Sequence, residues 1–397
     1  MTPEAAMPLI VALDVRALGA GRLARAQEAL RAHELAAAVV FDPANVRYVT
    51  CDGSYLVANL HCSYRWALVF AEHDPILWEP AESLGLARTR FDGEVRPTTS
   101  FTFFGSGGHS AEHARQAMAE VHDELRARGL HRAPVGIDRA EAVVFFALAD
   151  LGLRLVDAVP VLEVARSVKT DLELAVHREN ARLVDVAVRR WLEDLAPGRT
   201  ECELWARLVA ETFATGALHS ESRLLSSGPR TNPWMQEASD RVVEDGDPVA
   251  FDTDLVGPHG YLTDVSRTYL CGDAAPSAEL RDAYRAAHGF VHEAIPEFRA
   301  GRTFAELGEQ LGPRIPPEYR AQRYPFLAHG CGATDEYPAI VVDGHHAGVL
   351  APGMVISVEA YTGRVGGHVG AKYEEQIVVT DGAPEHLSHA PVESRLL

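Results

Sequence analysis

Apolar and polar positions first follow a helical period. Residues 20–36, rich in Ala, Leu and Arg, predict an amphipathic helix. The apolar run at 36–41 is too short for a helix and predicts a strand, closed by a turn at Asp42-Pro43. Residues 67–70 and 75–78 predict two further strands around a polar turn, 112–129 a helix and 135–138 another strand. This alternation predicts a small α/β domain over 1–165.

Residues 161–170 read as a join. After them, 171–195 predict one long helix, stopped by Pro197-Gly198, and Thr200-Glu-Cys-Glu203 is a capping box opening the next helix. From about residue 221 the pattern changes to short strands separated by Gly and Pro. Helix returns at 277–300 and again from 303, and the last hundred residues are mostly strand and loop. Residues 166–397 therefore predict an α+β domain, with acids set inside its apolar strands.

Those acids change the picture. In Val249-Ala-Phe-Asp-Thr-Asp-Leu-Val256 two aspartates interrupt an apolar strand, where aspartate is disfavoured. Strand alternation would put Asp252 and Asp254 on one face, where they repel each other unless a cation lies between them. Gly260-Tyr-Leu-Thr-Asp264 returns a third aspartate after a glycine-bounded turn. A solvated edge with turn acids fits these residues equally well. Three later acids and bases weigh against it: His329 ahead of two glycines in Ala328-His-Gly-Cys-Gly332, Glu359 ending the apolar run Met-Val-Ile-Ser-Val, and Glu374 in Lys372-Tyr-Glu-Glu-Gln-Ile-Val-Val379.

Composition narrows the partners. The net charge of −19 repels phosphate backbones and anionic membranes, so nucleic acid and membrane surfaces are excluded as partners. A hydrophobic fraction of 47% is enough for a substantial core. The five cysteines are scattered, with no C-x-x-C pair, which fits a reducing compartment. The first sixteen residues lack the basic start and long apolar core of an export signal, and no run reaches ~18 apolar residues. The expected location is the cytoplasm.

The order Asp, Asp, His, Glu, Glu resembles the peptidase M24, or pita-bread, superfamily of methionine aminopeptidases, prolidases, aminopeptidase P and creatinase. The resemblance is carried by Arg166-Ser-Val-Lys169 with Glu173, Asp264-Val-Ser-Arg-Thr268, His329-Gly-Cys-Gly332, Pro352-Gly-Met354 and Val358-Glu359. It implies a creatinase/prolidase-like N-terminal domain over 1–165 and a pita-bread catalytic domain over 166–397. It also implies two divalent metal ions, iron first, with zinc, manganese or cobalt compatible with an oxygen-rich set holding one imidazole. The implied ligands are Asp252, Asp254, Asp264, His329, Glu359 and Glu374.

The chain departs from the peptidases of that superfamily at several points. Position 253, where they usually carry an aspartate, is Thr, with aspartates on either side. The block after His329 is one residue shorter, and Asp335 stands where a second histidine is usual. The histidine common near Ser227-Gly-Pro-Arg-Thr-Asn-Pro-Trp-Met235 is missing, and Ala360 replaces a common proline. This set of departures is similar to the metal-dependent dimethylsulfoniopropionate lyases of the DddP type. That similarity implies a base-initiated β-elimination giving acrylate and dimethyl sulfide, with Asp335 as the base. A hydrolase of the same fold, acting on a Xaa-Pro dipeptide or a C–N bond as creatinase does, is the alternative, and a catalytically inactive binding module a third.

A zwitterionic or cationic small substrate needs aromatic faces. Tyr324, Trp234, Tyr337 and Tyr261 lie near the ligand blocks in sequence, and each fits core packing as well. The resemblance further implies a homodimer; Tyr55, Tyr64 and Trp66, in a stretch with His61 and Arg65, are candidates to reach across its interface, and internal packing fits them equally well.

Overall fold

Asp14 accepts hydrogen bonds from the backbone of Arg16 and Ala17 and so starts helix α1, Val15–Ala32, ahead of the start expected at residue 20. The computed structural model describes residues 13–53, 60–342 and 346–397. They form two compact units, Leu13–Arg166 and Ser167–Leu397.

In the first unit, strands β1 (Ala37–Val40), β2 (Trp66–Phe70), β3 (Ile76–Glu79), β4 (Glu94–Pro97), β5 (Pro134–Ile137) and β6 (Arg154–Asp157) form a mixed sheet in the order β4-β3-β2-β1-β5-β6. Both faces are covered. Ala38 and Val40 belong to one core cluster and Ala37 and Val39 to the other, as the two-residue period of a strand requires. The expected turn at Asp42-Pro43 is instead a helix start: the Asp42 carboxylate caps Ala44 and Asn45, and Pro43 occupies the first position of α2, Pro43–Thr50. Two longer helices, α3 (Ser110–Ala127) and α4 (Ala142–Asp150), precede β5 and β6 respectively.

The expected join is also largely helical. Helix α5 spans Val159–Ser167, because Val161, Leu162 and Ala165 bury apolar surface in the core of the first unit. Trp66 is fully buried and stacks on Trp78 with ring centroids 3.9 Å apart, so it cannot reach another subunit. Tyr55 lies outside the described residues.

The second unit opens with α6, Asp171–Asp194, and α7, Glu201–Phe213. Both start at complete capping boxes, Thr170 with Glu173 and Thr200 with Glu203. Short strands follow: β7 (His219–Ser220), β8 (Leu225–Ser227), β9 (Pro248–Asp252), β10 (Leu255–Val256), β11 (Leu262–Thr263) and β12 (Ser266–Leu270). After helices α8 (Ala278–Ala294) and α9 (Phe304–Leu311) come β13 (Phe326–Cys331), β14 (Asp335–Val341), β15 (Val355–Gly363), β16 (Gly370–Val378) and β17 (Glu385–His386).

Strands β12, β9 and β8 form one antiparallel sheet, and β14-β13-β15-β16-β17 another. Thr268 joins the two: its hydroxyl donates to Lys372 O and accepts from Lys372 N, both at 2.9 Å. This contact brings the residues just before β12 beside those in the middle of β16. Helix α8 lays Tyr284, Ala287 and Val291 in the same core cluster as Val358, Ala360 and Tyr373. No helix among the described residues is long and apolar enough to cross a membrane.

Candidate metal centre

Strand β9 ends on Asp252, and Asp254 takes a left-handed backbone conformation with φ 38°. The two aspartates are therefore not alternate residues of one strand, as the spacing suggested. A bend brings them together, and Thr253 holds it. Its hydroxyl donates to Thr263 O and accepts from Val265 N, both at 2.9 Å, clipping the bend to the segment that carries Asp264. Ser222 donates to Asp254 Oδ2. Asp252, Asp254 and Asp264 each offer an oxygen within 4.8 Å of the others.

His329 comes from β13, where the register to β14 shifts between it and Gly330 before pairing resumes at Gly330 and Cys331. Its Nδ1 lies 3.2 Å from Gly330 O, and a proton there leaves Nε2 facing the carboxylates. Nε2 is 3.3 Å from Glu359, 3.4 Å from Asp264 and 3.7 Å from Glu374. Asp264, His329 and Glu374 form a second group whose ligand atoms lie within 4.8 Å, so Asp264 belongs to both groups. All six side chains named in the sequence converge, and all are buried.

Lys372 is the cation that the sequence reading passed over. Its buried ammonium lies 2.6 Å from Glu359, 3.2 Å from Glu374 and 3.4 Å from Asp252, and donates to Ser266 Oγ at 2.9 Å. Two residues before Glu374 on one strand, it shares that residue's face, a signal present in the sequence. One lysine does not balance five carboxylates. At an effective dielectric of about 20, a carboxylate pair about 4 Å apart repels by roughly 4 kcal/mol.

The titrations reflect this crowding. Burial, then the charges of Glu374, Asp252 and Asp254, hold the Asp264 carboxyl well above its usual range. Asp254 is raised for the same reasons, burial first and Asp252 next. Burial works against ionised Glu359 and Glu374, yet Lys372 and His329 more than offset it and lower both. Burial likewise disfavours the His329 imidazolium, and its contacts with Asp264, Glu359 and Glu374 hold it well above the ordinary value.

Asp335 opens β14, across a tight turn from Cys331, and its Oδ1 is 3.4 Å from His329 Nδ1. Surrounding atoms, together with Glu374, Glu359 and Asp252, push its carboxyl up to about 6 against the pull of His329. Its side chain is 59% exposed, so solvent screens part of that shift and leaves the group open to a ligand. The next residue, Glu336, points the other way into a buried ion pair with Lys169 at 2.7 Å. A Cβ at Gly332 would collide with the Glu336 carboxylate, so the turn needs glycine there.

Of the four aromatics named from sequence, two border this cluster. The Lys372 ammonium lies 5.2 Å from the Tyr324 ring centroid, and Trp234 Nε1 donates to the Tyr324 hydroxyl. The other two belong elsewhere. Tyr261 is buried with its hydroxyl on Glu173 at 2.6 Å, tying the segment before β11 to α6. Tyr337 packs against Phe304 of α9 and donates to Ala347 O. Alternation along β14 turns it with Asp335, but its ring covers the helix instead. Phe326 was missed: it stacks on Tyr324 at 5.3 Å and meets the His329 imidazole edge-on at 5.6 Å.

The donor set fits divalent ions. Asp252 Oδ1, Asp264 Oδ1 and Glu374 Oε1 are buried without a hydrogen-bond partner among the described residues. Once ionised, buried oxygens of that kind are stable only beside a cation. Carboxylates with one imidazole are a donor set for metals of the manganese-to-zinc series.

The chain belongs to the M24 metalloenzyme family. Residues 175–381 match the model of metallopeptidase family M24, and residues 22–168 match the creatinase/prolidase N-terminal domain. The architecture is thus a creatinase-like domain followed by a pita-bread catalytic domain, and the protein is an enzyme of a family that depends on divalent metals. Among proteins, it is 31% identical over 97% of its length to dimethylsulfoniopropionate lyase DddP of Roseovarius nubinhibens, covering 88% of that protein. It is 32% identical, with the same coverage of both chains, to the protein of that name from Roseobacter denitrificans. Among solved structures, dipeptidase PepE from Mycobacterium ulcerans matches with a TM-score of 0.77 and 25% identity, over 96% of this chain and 98% of that one.

Proposed function

We propose that this enzyme is a metal-dependent C–S lyase that splits dimethylsulfoniopropionate into acrylate and dimethyl sulfide. The observation that carries the reading is Asp335, an exposed carboxylate 3.4 Å from the imidazole of the cluster, at the position where the family's peptidases use histidine. The likeness to the two proteins named dimethylsulfoniopropionate lyase supports it.

Asp252, Asp254, Asp264, His329, Glu359 and Glu374 would hold two divalent ions, iron first by resemblance, with Asp264 common to both groups of donors. Ions held there supply Lewis acidity toward the substrate carboxylate, where negative charge grows as the α-proton leaves. Asp335 takes that proton. The electron pair of the broken C–H bond becomes the new C=C bond, and the β-carbon–sulfur bond breaks with its pair going to sulfur. Products are acrylate, dimethyl sulfide and the proton on Asp335. Tyr324 and Phe326, with Trp234 behind them, offer faces to the sulfonium. Lys372 offsets part of the carboxylate charge throughout. The working form is a homodimer, by the same family resemblance, in the reducing cytoplasm that the scattered cysteines fit.

The test is a paired assay. Metal-loaded protein is incubated separately with dimethylsulfoniopropionate and with a Xaa-Pro dipeptide, and headspace dimethyl sulfide and free proline are measured. Dimethyl sulfide without proline is expected. Proline without dimethyl sulfide replaces the lyase by the hydrolase, the reading favoured by the likeness to dipeptidase PepE.

A further inference from the structure

Trp234 rides on a loop that leaves β8 and returns toward β9, and Asn232 sits at the crown of that loop. Asn232 uses every hydrogen-bonding position of its carboxamide. Its Nδ2 donates to Arg364 O at 2.8 Å and to Gly367 O at 3.0 Å, both in the turn between β15 and β16. Its Oδ1 accepts from Gln322 Nε2 at 3.0 Å and from the Tyr361 hydroxyl at 2.9 Å. Space is kept for it: a Cβ at Gly363 would lie 2.7 Å from Oδ1, and one at Gly367 3.2 Å from Nδ2.

Two of these contacts, and the chain of Asn232 itself, lead to aromatic rings. Asn232 precedes Trp234 by two residues, Gln322 precedes Tyr324 by two, and the Tyr361 ring stacks on Trp234 at 6.0 Å. Trp234 in turn donates to Tyr324, which stacks on Phe326 beside His329. The feet of the loop are held separately. The buried Glu201 carboxylate accepts from Ser227 N and Oγ at one end and from Ser239 N and Oγ at the other. Between those ends the crown is held by Asn232 and by its neighbour Thr231, whose carbonyl accepts from the Tyr361 hydroxyl and whose Oγ1 accepts from Gly370 N, both at 3.1 Å.

We propose that Asn232 is a positioning residue that holds three chain segments in register, so that Tyr324 and its neighbours form one wall for the substrate's cationic group. The inference rests on the lyase reading. None of the hydrogen bonds of Asn232 reaches a carboxylate of the cluster, so its loss acts on cation recognition and leaves metal binding intact. Attraction of a cation to a ring falls off beyond about 6 Å from the centroid, so a displaced wall loses it.

The probes are two stable carboxylates of one shape, the zwitterion 3-(trimethylammonio)propionate and 4,4-dimethylpentanoate, whose tert-butyl end carries no charge, titrated calorimetrically into the metal-loaded enzyme. The wild type is expected to prefer the cation. Asn232→Ala is expected to cut that preference by on the order of fivefold, with metal content and affinity for 4,4-dimethylpentanoate kept within about twofold. Gln322→Leu removes one of the four bonds and shifts the preference in the same direction by less. A folded Asn232→Ala protein that keeps the wild-type preference overturns the proposal. So does parallel weakening of both acids, which marks a general structural role. If Asn232→Ala does not fold, Gln322→Leu decides on the same two outcomes. A wild type that binds both acids alike defeats the substrate reading itself, and the inference with it.

Discussion

Glu359 and Glu374 stand directly opposite each other on β15 and β16, two buried carboxylates in one cross-strand pair. Like charges in that position destabilise a sheet. Lys372 bonds to both, and Asp252 makes a third claim on the same ammonium. The sheet is built around a deficit of positive charge that bound cations would complete.

Removing metal therefore lowers stability. An ion that binds only the folded state at ~1,000 times its Kd adds about 4 kcal/mol. Treating loaded protein with a chelator is expected to lower Tm by calorimetry, and restoring the ions to recover it. A Tm indifferent to chelation argues that no ion is bound to this cluster.

The metal-free protein has a pH dependence of definite sign. Asp335 is raised to about 6, and Asp254 and Asp264 are raised well above their ordinary values. Such groups hold more protons folded than unfolded, so the stability they contribute is complete below the unfolded value near 4 and is lost as pH rises. Glu359 and Glu374 are lowered and act oppositely, in a window below their unfolded value near 4.5. From pH 4.5 to 6 the raised carboxyls, Asp138 at about 7 among them, outnumber the imidazoles of His288 and His292 that burial lowers and that act oppositely, and denaturation midpoints of chelated protein are expected to fall. A rise over that interval contradicts the arrangement.

Asp252 tests the second group of donors. Asp252→Ala is expected to remove about one ion per chain by elemental analysis and to lower turnover with it, since two carboxylates then remain in its group. Unchanged metal content would make Asp252 a partner of Lys372 alone.

Much of this centre is legible from residue type and order, because ligands must be acids or imidazole wherever they fall in the chain. The six positions converge as the motif order implies. The route by which they converge is less legible. Asp252 and Asp254 meet through the left-handed bend at Asp254 and the Thr253 clip, and strand alternation plays no part. Tyr261 and Tyr337 are near the ligands in sequence and far in partners, because a hydroxyl inside a core goes where an acceptor waits, Glu173 for one and Ala347 O for the other. Helix α5 and the α2 start at Asp42-Pro43 were hidden for a related reason: short segments take their structure from caps and burial more than from periodicity.

Lys169 and Glu336 form a buried ion pair directly behind Asp335. Lys169→Met leaves Glu336 uncompensated and is expected to cost about 3–5 kcal/mol in chemical denaturation. Pairing it with Glu336→Leu is expected to recover most of that loss, since two apolar groups replace the pair without a stranded charge. A double variant that loses the sum of what Lys169→Met and Glu336→Leu lose singly would show that the pair is not coupled.

The central claim is that Asp335 removes the α-proton, and steady-state turnover of dimethylsulfoniopropionate by Asp335→Asn tests it most directly. The amide keeps the size and polarity of the side chain and cannot take the proton. Metal content and KM are expected to stay near those of the wild type, while kcat for dimethyl sulfide release falls by on the order of 10²–10⁴. An Asp335→Asn enzyme that releases dimethyl sulfide at the wild-type rate contradicts the account.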